Sequence, residues 1–373
     1  MAAADALKNQ ETMSASERIR GILLDRNLDA VLVTDPYNFH YLSGFSGEGL
    51  LYMDYERSVL LTDSRYTIAA REAAQPHGFS VIEYGSPKPL IRHLKELIVS
   101  GACEKIGFED LSMTCSDYTK YKRLLPDLLQ WQPLGDTLNA LRRVKTADEI
   151  EKLAAAEHIG DLALELVLPK IRVGMTETQL AAELEYAMRL QGAEGMSFGT
   201  IVASGENSAR PHHVPVSSKK LEEGDFITMD FGCILEGYCS DMTRTVVLGK
   251  ASEQQKKVYD TVLKAQLAGL SAIRAGRTGA QVDAAARRII NEAGFAGKFG
   301  HGLGHSVGLF IHEDPRLSPS EMSPLEVGNI VTVEPGVYIE GFGGVRIEDM
   351  VVVTQDGCRN LASSPKELIE LPC

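Results

Sequence analysis

From Ser14 onward apolar residues recur at helical spacing through SERIRGILLDRN and then close up into the run AVLV. The chain therefore opens as a capped helix, with Ser14 or Ser16 at its N-cap, followed by a short strand from Ala30 to Thr34. Two further β-rich runs, GLLYM and SVLLT, flank an acidic turn at Asp54 and Glu56, and helical stretches alternate with the strand FSVIEY as far as Trp131. Alternation of this kind predicts an α/β fold, a mixed sheet covered by helices.

Near Leu138 the pattern changes. A basic cluster, LRRVK, precedes Thr146, which has the character of an N-cap with Glu149 at the capping-box position of a long helix. The domain boundary is placed here, dividing the chain into residues 1–143 and 144–373. Beyond it the pattern predicts helices over 147–168 and 176–191, strands near 199–203 and within 226–247, and helices over 253–275 and 280–293. Glycine-rich segments alternating with strands follow. Helices interleaved with long antiparallel strands indicate an α+β second domain.

With 373 residues and 44% hydrophobic content, both parts can bury a substantial core. A net charge of −13, with acidic residues spread along the chain, offers neither the basic footprint of a nucleic-acid binder nor a polybasic membrane anchor. The first residues, MAAADALKNQETMSASER, contain no apolar signal core, and no apolar stretch reaches membrane-spanning length, so a cytosolic protein is expected. Six cysteines without a CxxC pair fit reduced thiols, and Cys233 and Cys239 read as packing residues.

Candidate chemistry concentrates in four segments of the second domain: ITMDFG with Asp230, YCSDMTRT with Asp241, HGLGHSVGLFIHEDP with three histidines, and VTVEPG followed by GGVRIED with Glu334 and Glu348. Carboxylates in apolar strands are costly to desolvate unless paired or bound to metal. A turn near Glu236 and Gly237 would set Asp230 and Asp241 side by side across a ladder, and a turn near Gly341 to Gly344 would do the same for Glu334 and Glu348. Four convergent carboxylates repel one another at neutral pH, and two divalent cations would neutralise them. His301 and His305 are spaced for one face of a helix, but the glycines between and beyond them argue for irregular backbone. One of the pair is then expected to bind metal, while the other and His312 contact substrate. Arg346 shares strand parity with Glu348, which suggests an ion pair to a ligand carboxylate.

These segments resemble the peptidase family that contains methionine aminopeptidase, Xaa-Pro aminopeptidase and prolidase, whose ligands run Asp, Asp, His, Glu, Glu. The resemblance implies a pita-bread catalytic domain with Asp230, Asp241, His305, Glu334 and Glu348 as metal ligands, Asp241 and Glu348 bridging two ions. Mn(II) is foremost among the implied metals, with Co(II), Zn(II) or Fe(II) as alternatives. HGLGHSVGLFIHEDP and NSARPHH resemble the proline-specific branch, which implies that His301, His312, Arg346 and either His212 or His213, with His212 preferred, serve substrate or catalysis beside Glu334. AVLVTDPYNFHYLSGFSG and LLTDSRY resemble the amino-terminal domain of creatinases and prolidases, absent from simple methionine aminopeptidases. The implied partners are short proline-containing peptides and a second copy of the chain. A metal-free creatinase-like or binding module is disfavoured, because such relatives have lost the metal carboxylates. Arg210, His212, His213 and Arg346 form no recognisable clamp for a free C-terminal carboxylate, which favours an Xaa-Pro aminopeptidase over the alternative, an Xaa-Pro dipeptidase.

Overall fold

The computed structural model describes residues 13–373, so the polar stretch 1–12, on which part of the cytosolic expectation rests, lies outside it. The first helix, Ala15–Arg26, is capped by Ser14 in a capping box with Glu17, which decides between the two candidate serines. Among the described residues no helix is long and apolar enough to cross a membrane.

The chain divides into two compact units between Arg142 and Arg143. In the first, β1 (Ala30–Val33), β2 (Leu50–Asp54), β3 (Ser58–Asp63), β4 (Ser80–Tyr84), β5 (Lys105–Phe108) and β6 (Gln130–Pro133) form one mixed sheet in the order β4-β3-β2-β1-β5-β6. Period-two alternation sorts its side chains. Val31, Val33, Leu51, Met53 and Leu60 face one core, while Ala30, Leu32, Leu50, Tyr52, Val59 and Leu61 face the other.

The second unit contains two helix pairs, Ala147–Val167 with Glu177–Leu190 and Glu253–Ala272 with Gly279–Ile290. All four helices end one to three residues short of the helical pattern in the sequence, because the last positions turn into 3₁₀, π, turn or extended backbone. Each pair builds its own core. The first pair packs with Ile227, Met229, Phe231, Met242 and Val246, and the second with Val331, Val333, Val345, Ile347 and Val351. Both cores are closed by long antiparallel hairpins, whose opposite faces are left for polar residues.

Candidate active site

Strand Phe226–Phe231 pairs antiparallel with Met242–Leu248, and the ladder continues outward through Ile234↔Cys239 and Leu235↔Tyr238. It closes on Glu236 (φ 48°) and Gly237 (φ 79°), a two-residue turn with both residues left-handed, as the twist of a hairpin favours. Asp230 faces Thr243 in this register, so Asp241 falls opposite Gly232. The two aspartates are diagonal neighbours on one face, which corrects the side-by-side expectation. Glycine is required at 232 because a Cβ there would lie 1.9 Å from the Ser240 carbonyl oxygen.

The second hairpin places its pair directly. Val333↔Asp349 and Gly336↔Arg346 belong to one continuous register, which sets Glu334 opposite Glu348. His305 comes from a third piece of chain, the short strand Gly304–Ser306, drawn close by hydrogen bonds from its own N–H to Thr332 Oγ1 (3.1 Å) and from the Glu334 N–H to the Leu303 carbonyl (2.8 Å). A Cβ at Gly304 would stand 2.0 Å from the Thr332 carbonyl oxygen, so only glycine permits this approach.

The donor atoms converge. Asp241, His305 and Glu348, all buried, offer atoms within 4.8 Å of one another. His305 Nε2 stands 3.5 Å from both Asp241 Oδ2 and Glu334 Oε1. Its Nδ1 meets the Ser306 carbonyl at 3.1 Å, and since a carbonyl can only accept, Nδ1 carries the proton and Nε2 keeps its lone pair. Burial holds this imidazole neutral, with a pKa pushed down to about 3. Asp230 Oδ2 accepts from Arg346 Nη2 at 2.6 Å, while its Oδ1 is buried with no hydrogen-bond partner.

Burial, then repulsion among the carboxylates, raises Asp241 and Glu348 well above the usual range, and burial carries Glu334 to about 8. Oxygen-rich donors, one imidazole lone pair, an orphaned carboxylate oxygen and mutual repulsion fit divalent cations.

Around this centre lies a bonded frame. Arg346 donates through Nε to Thr243 Oγ1 (3.0 Å) and through Nη1 to the Tyr338 hydroxyl (2.9 Å), and Thr243 Oγ1 donates to Glu348 Oε2 (2.6 Å). Tyr338 in turn donates to His301 Nε2 (2.9 Å), whose Nδ1 donates to the Gly302 carbonyl (2.8 Å). Both nitrogens of His301 are thus engaged within the protein. His312 is exposed, with its ring 4.6 Å from that of His305 in an edge-on arrangement. His213 is buried and bonds Glu177 Oε2 at 2.8 Å, whereas the adjacent His212 is exposed.

Above the centre a cavity of about 670 Å³ is lined by His212, His301, His312 and Arg316 together with the carboxylates, and by apolar groups including Phe198, Ile201 and Ile311. Tyr338, Thr243 and Arg316 were not among the candidates read from the motifs. Arg316 alone had a signal, since it immediately follows HEDP; the roles of Tyr338 and Thr243 depend on contacts between separate hairpins.

A two-unit architecture with carboxylates from two hairpins gathered beneath a cavity defines the class, a pita-bread enzyme with a donor set for divalent cations. Residues 151–355 match metallopeptidase family M24, and residues 16–144 match the creatinase/prolidase N-terminal domain. The Xaa-Pro dipeptidase of Pyrococcus furiosus is 36% identical over 357 residues, covering 95% of this chain and 99% of that protein. The solved Xaa-Pro dipeptidase from Bacillus anthracis superposes with a TM-score of 0.92 at 40% identity, covering 96% of this chain and 99% of that one. The X-Pro aminopeptidase from Thermotoga maritima MSB8 superposes with a TM-score of 0.88 at 37% identity, covering 95% and 99%. The chain belongs to metallopeptidase family M24, with the creatinase/prolidase N-terminal domain ahead of the peptidase domain.

Proposed function

We propose that the protein is an Xaa-Pro dipeptidase, a metal-dependent exopeptidase that hydrolyses the bond before a C-terminal proline. The observation that carries this reading is Arg316, which lines the same cavity as His212 and His312. A free carboxylate needs charge-assisted donors on the far side of the scissile bond, and a guanidinium that shares the cavity with the His212 imidazole supplies them. The preference for an aminopeptidase rested on the absence of such a clamp. Arg316 removes that ground, and the relatives named by activity are mostly Xaa-Pro dipeptidases. The aminopeptidase from Thermotoga maritima keeps the second reading in view.

We assign Asp230, Asp241, His305, Glu334 and Glu348 to hold two cations, Mn(II) foremost, and we place the enzyme in the cytosol as a homodimer. When bound, the cations supply Lewis acidity and water acidified to near-neutral pKa. The chain's own groups do the rest. Glu334, which lines the cavity, can take a proton at its carboxylate and return it to the proline nitrogen as the amide breaks. His312, whose pKa is lowered by partial desolvation and by the charge of Arg316, can donate a ring N–H to the scissile carbonyl as negative charge develops there. Arg346 and Thr243 fix the orientation of Asp230 and Glu348, and His301 acts through Tyr338 to hold Arg346.

The test compares Gly-Pro, Gly-Pro-amide and Gly-Pro-Ala with protein supplemented with Mn(II). Gly-Pro should be cleaved with kcat/KM at least about tenfold above the other two, the worth of one charge-assisted contact. Equal or faster cleavage of Gly-Pro-Ala would return the aminopeptidase reading.

A further inference from the structure

Glu177 is the first residue of helix Glu177–Leu190, a position at which a carboxylate ordinarily faces solvent and gains from the helix dipole. Here its side chain is fully buried. Five donors surround it. Oε1 accepts from the Ser204 N–H (2.8 Å), Ser204 Oγ (2.9 Å) and Asn207 Nδ2 (3.0 Å), and Oε2 accepts from His213 Nε2 (2.8 Å) and the Val216 N–H (3.2 Å). Burial pushes the carboxyl pKa up, but these donors, His213 foremost, outweigh it and leave Glu177 below its ordinary value.

The donors come from the start, middle and end of one segment, residues 204–216. Its other side is pinned to the hairpin that carries Arg346. Ser208 Oγ accepts from the Gly344 N–H (2.8 Å), and the Pro211 carbonyl accepts from Arg346 Nη1 (3.3 Å). His212 sits between these two anchors, with Pro211 fixed before it and the His213 ring fixed after it. Its own ring is exposed and lines the cavity together with those of His301 and His312.

We propose that Glu177 is a positioning residue for substrate, latching residues 204–216 through His213 so that the His212 ring is presented to the carboxylate end of the substrate. Only the identity of the group His212 meets rests on the dipeptidase reading; the latch itself does not. Glu177 never touches substrate. An imidazole held by fixed neighbours meets its partner without an ordering cost at binding, and releasing the loop restores that cost to each binding event.

The experiment uses the full chain loaded with Mn(II). In Glu177→Gln, hydrogen exchange followed by mass spectrometry should show faster exchange in peptides spanning 204–216, with bound metal unchanged. KM for Gly-Pro should rise about fivefold or more with kcat within about twofold, since one or two oriented hydrogen bonds are lost. His213→Gln keeps a donor and should behave as the parent, whereas His213→Leu should reproduce Glu177→Gln. This pair keeps the proposal falsifiable should Glu177→Gln fold poorly. Unchanged exchange over 204–216, equal behaviour of the two His213 variants, or loss of kcat and metal at constant KM overturns the latch. If the parent fails to prefer Gly-Pro over Gly-Pro-amide, the dipeptidase reading falls alone, and the exchange pattern still judges the latch.

Discussion

The proposed choice of a dipeptidase over an aminopeptidase rests on Arg316. It lines the cavity with its side chain 43% exposed, and its Nε stands 3.6 Å from Oδ1 of the similarly exposed Asp314, a loose surface pair. Arg316→Met keeps the length and apolar stem but removes the fork of donors. KM for Gly-Pro is expected to rise at least about tenfold, as for loss of a charge-assisted hydrogen bond, with little change for Gly-Pro-amide. Steady-state kinetics on both substrates checks this, and equal losses would remove Arg316 from carboxylate binding. Adjacent His212 and His213 make a parallel case, because no property of the dipeptide separates them. Their opposite environments are set by Glu177, far away in the sequence.

At the scale of elements, the site is an assembly of hairpins, and the strand pair Gly304–Ser306 with Glu313–Leu317 has its own fastening. Lys145, with 1% of its side chain exposed, places Nζ 2.9 Å from Glu313 Oε2 and 3.1 Å from Ser306 Oγ. Glu313 also accepts from the Phe310 N–H at 3.1 Å, and it is bonded to the chain directly after His312. One buried ion pair thus holds both strands of the element that carries His305 and His312. Removing one partner of such a pair leaves an uncompensated charge. Lys145→Met is expected to lower stability by roughly 3 kcal/mol, measured by denaturant unfolding of metal-loaded protein, and to reduce kcat more than it raises KM. Lys145→Met combined with Glu313→Gln should recover part of the stability, because no unpaired charge then remains. Recovery absent in the double variant would mean that Lys145 serves packing alone.

For the whole molecule, the gathered carboxylates oppose folding whenever nothing compensates them. Chelation is expected to lower the melting temperature of the peptidase unit by roughly 5 °C or more, since cations bound only to the folded state stabilise it by mass action. The pH dependence of the chelated protein follows in sign from Glu334, raised from an ordinary 4.5 to about 8. The folded state then holds more protons than the unfolded one, so its contribution to stability is fully present below about pH 4.5 and is lost as pH rises through about 8. Calorimetry with and without Mn(II) between pH 6 and 9 checks it, with a falling melting temperature in the chelated protein and a flatter profile with metal. A flat profile in both would mean that the carboxylates are too far apart, or too well solvated, to couple.

Much of this molecule is written locally. Alternation and helical spacing placed β1 and the four helices of the second unit, because burial of one face is a property of short stretches of chain. Turn chemistry at Glu236 and Gly237 placed the first hairpin, because few residues accept a left-handed backbone. The five residues proposed as metal donors stood out as costly carboxylates and a glycine-framed histidine within apolar runs. What the chain order could not carry was relation across distance. The diagonal offset of Asp230 and Asp241, the engagement of His301 by Tyr338, the partner of His213, and the entry of Arg316 into the cavity all depend on register and on packing between segments remote in sequence. Such relations exist only once the hairpins have closed against one another, because no short stretch of chain carries them.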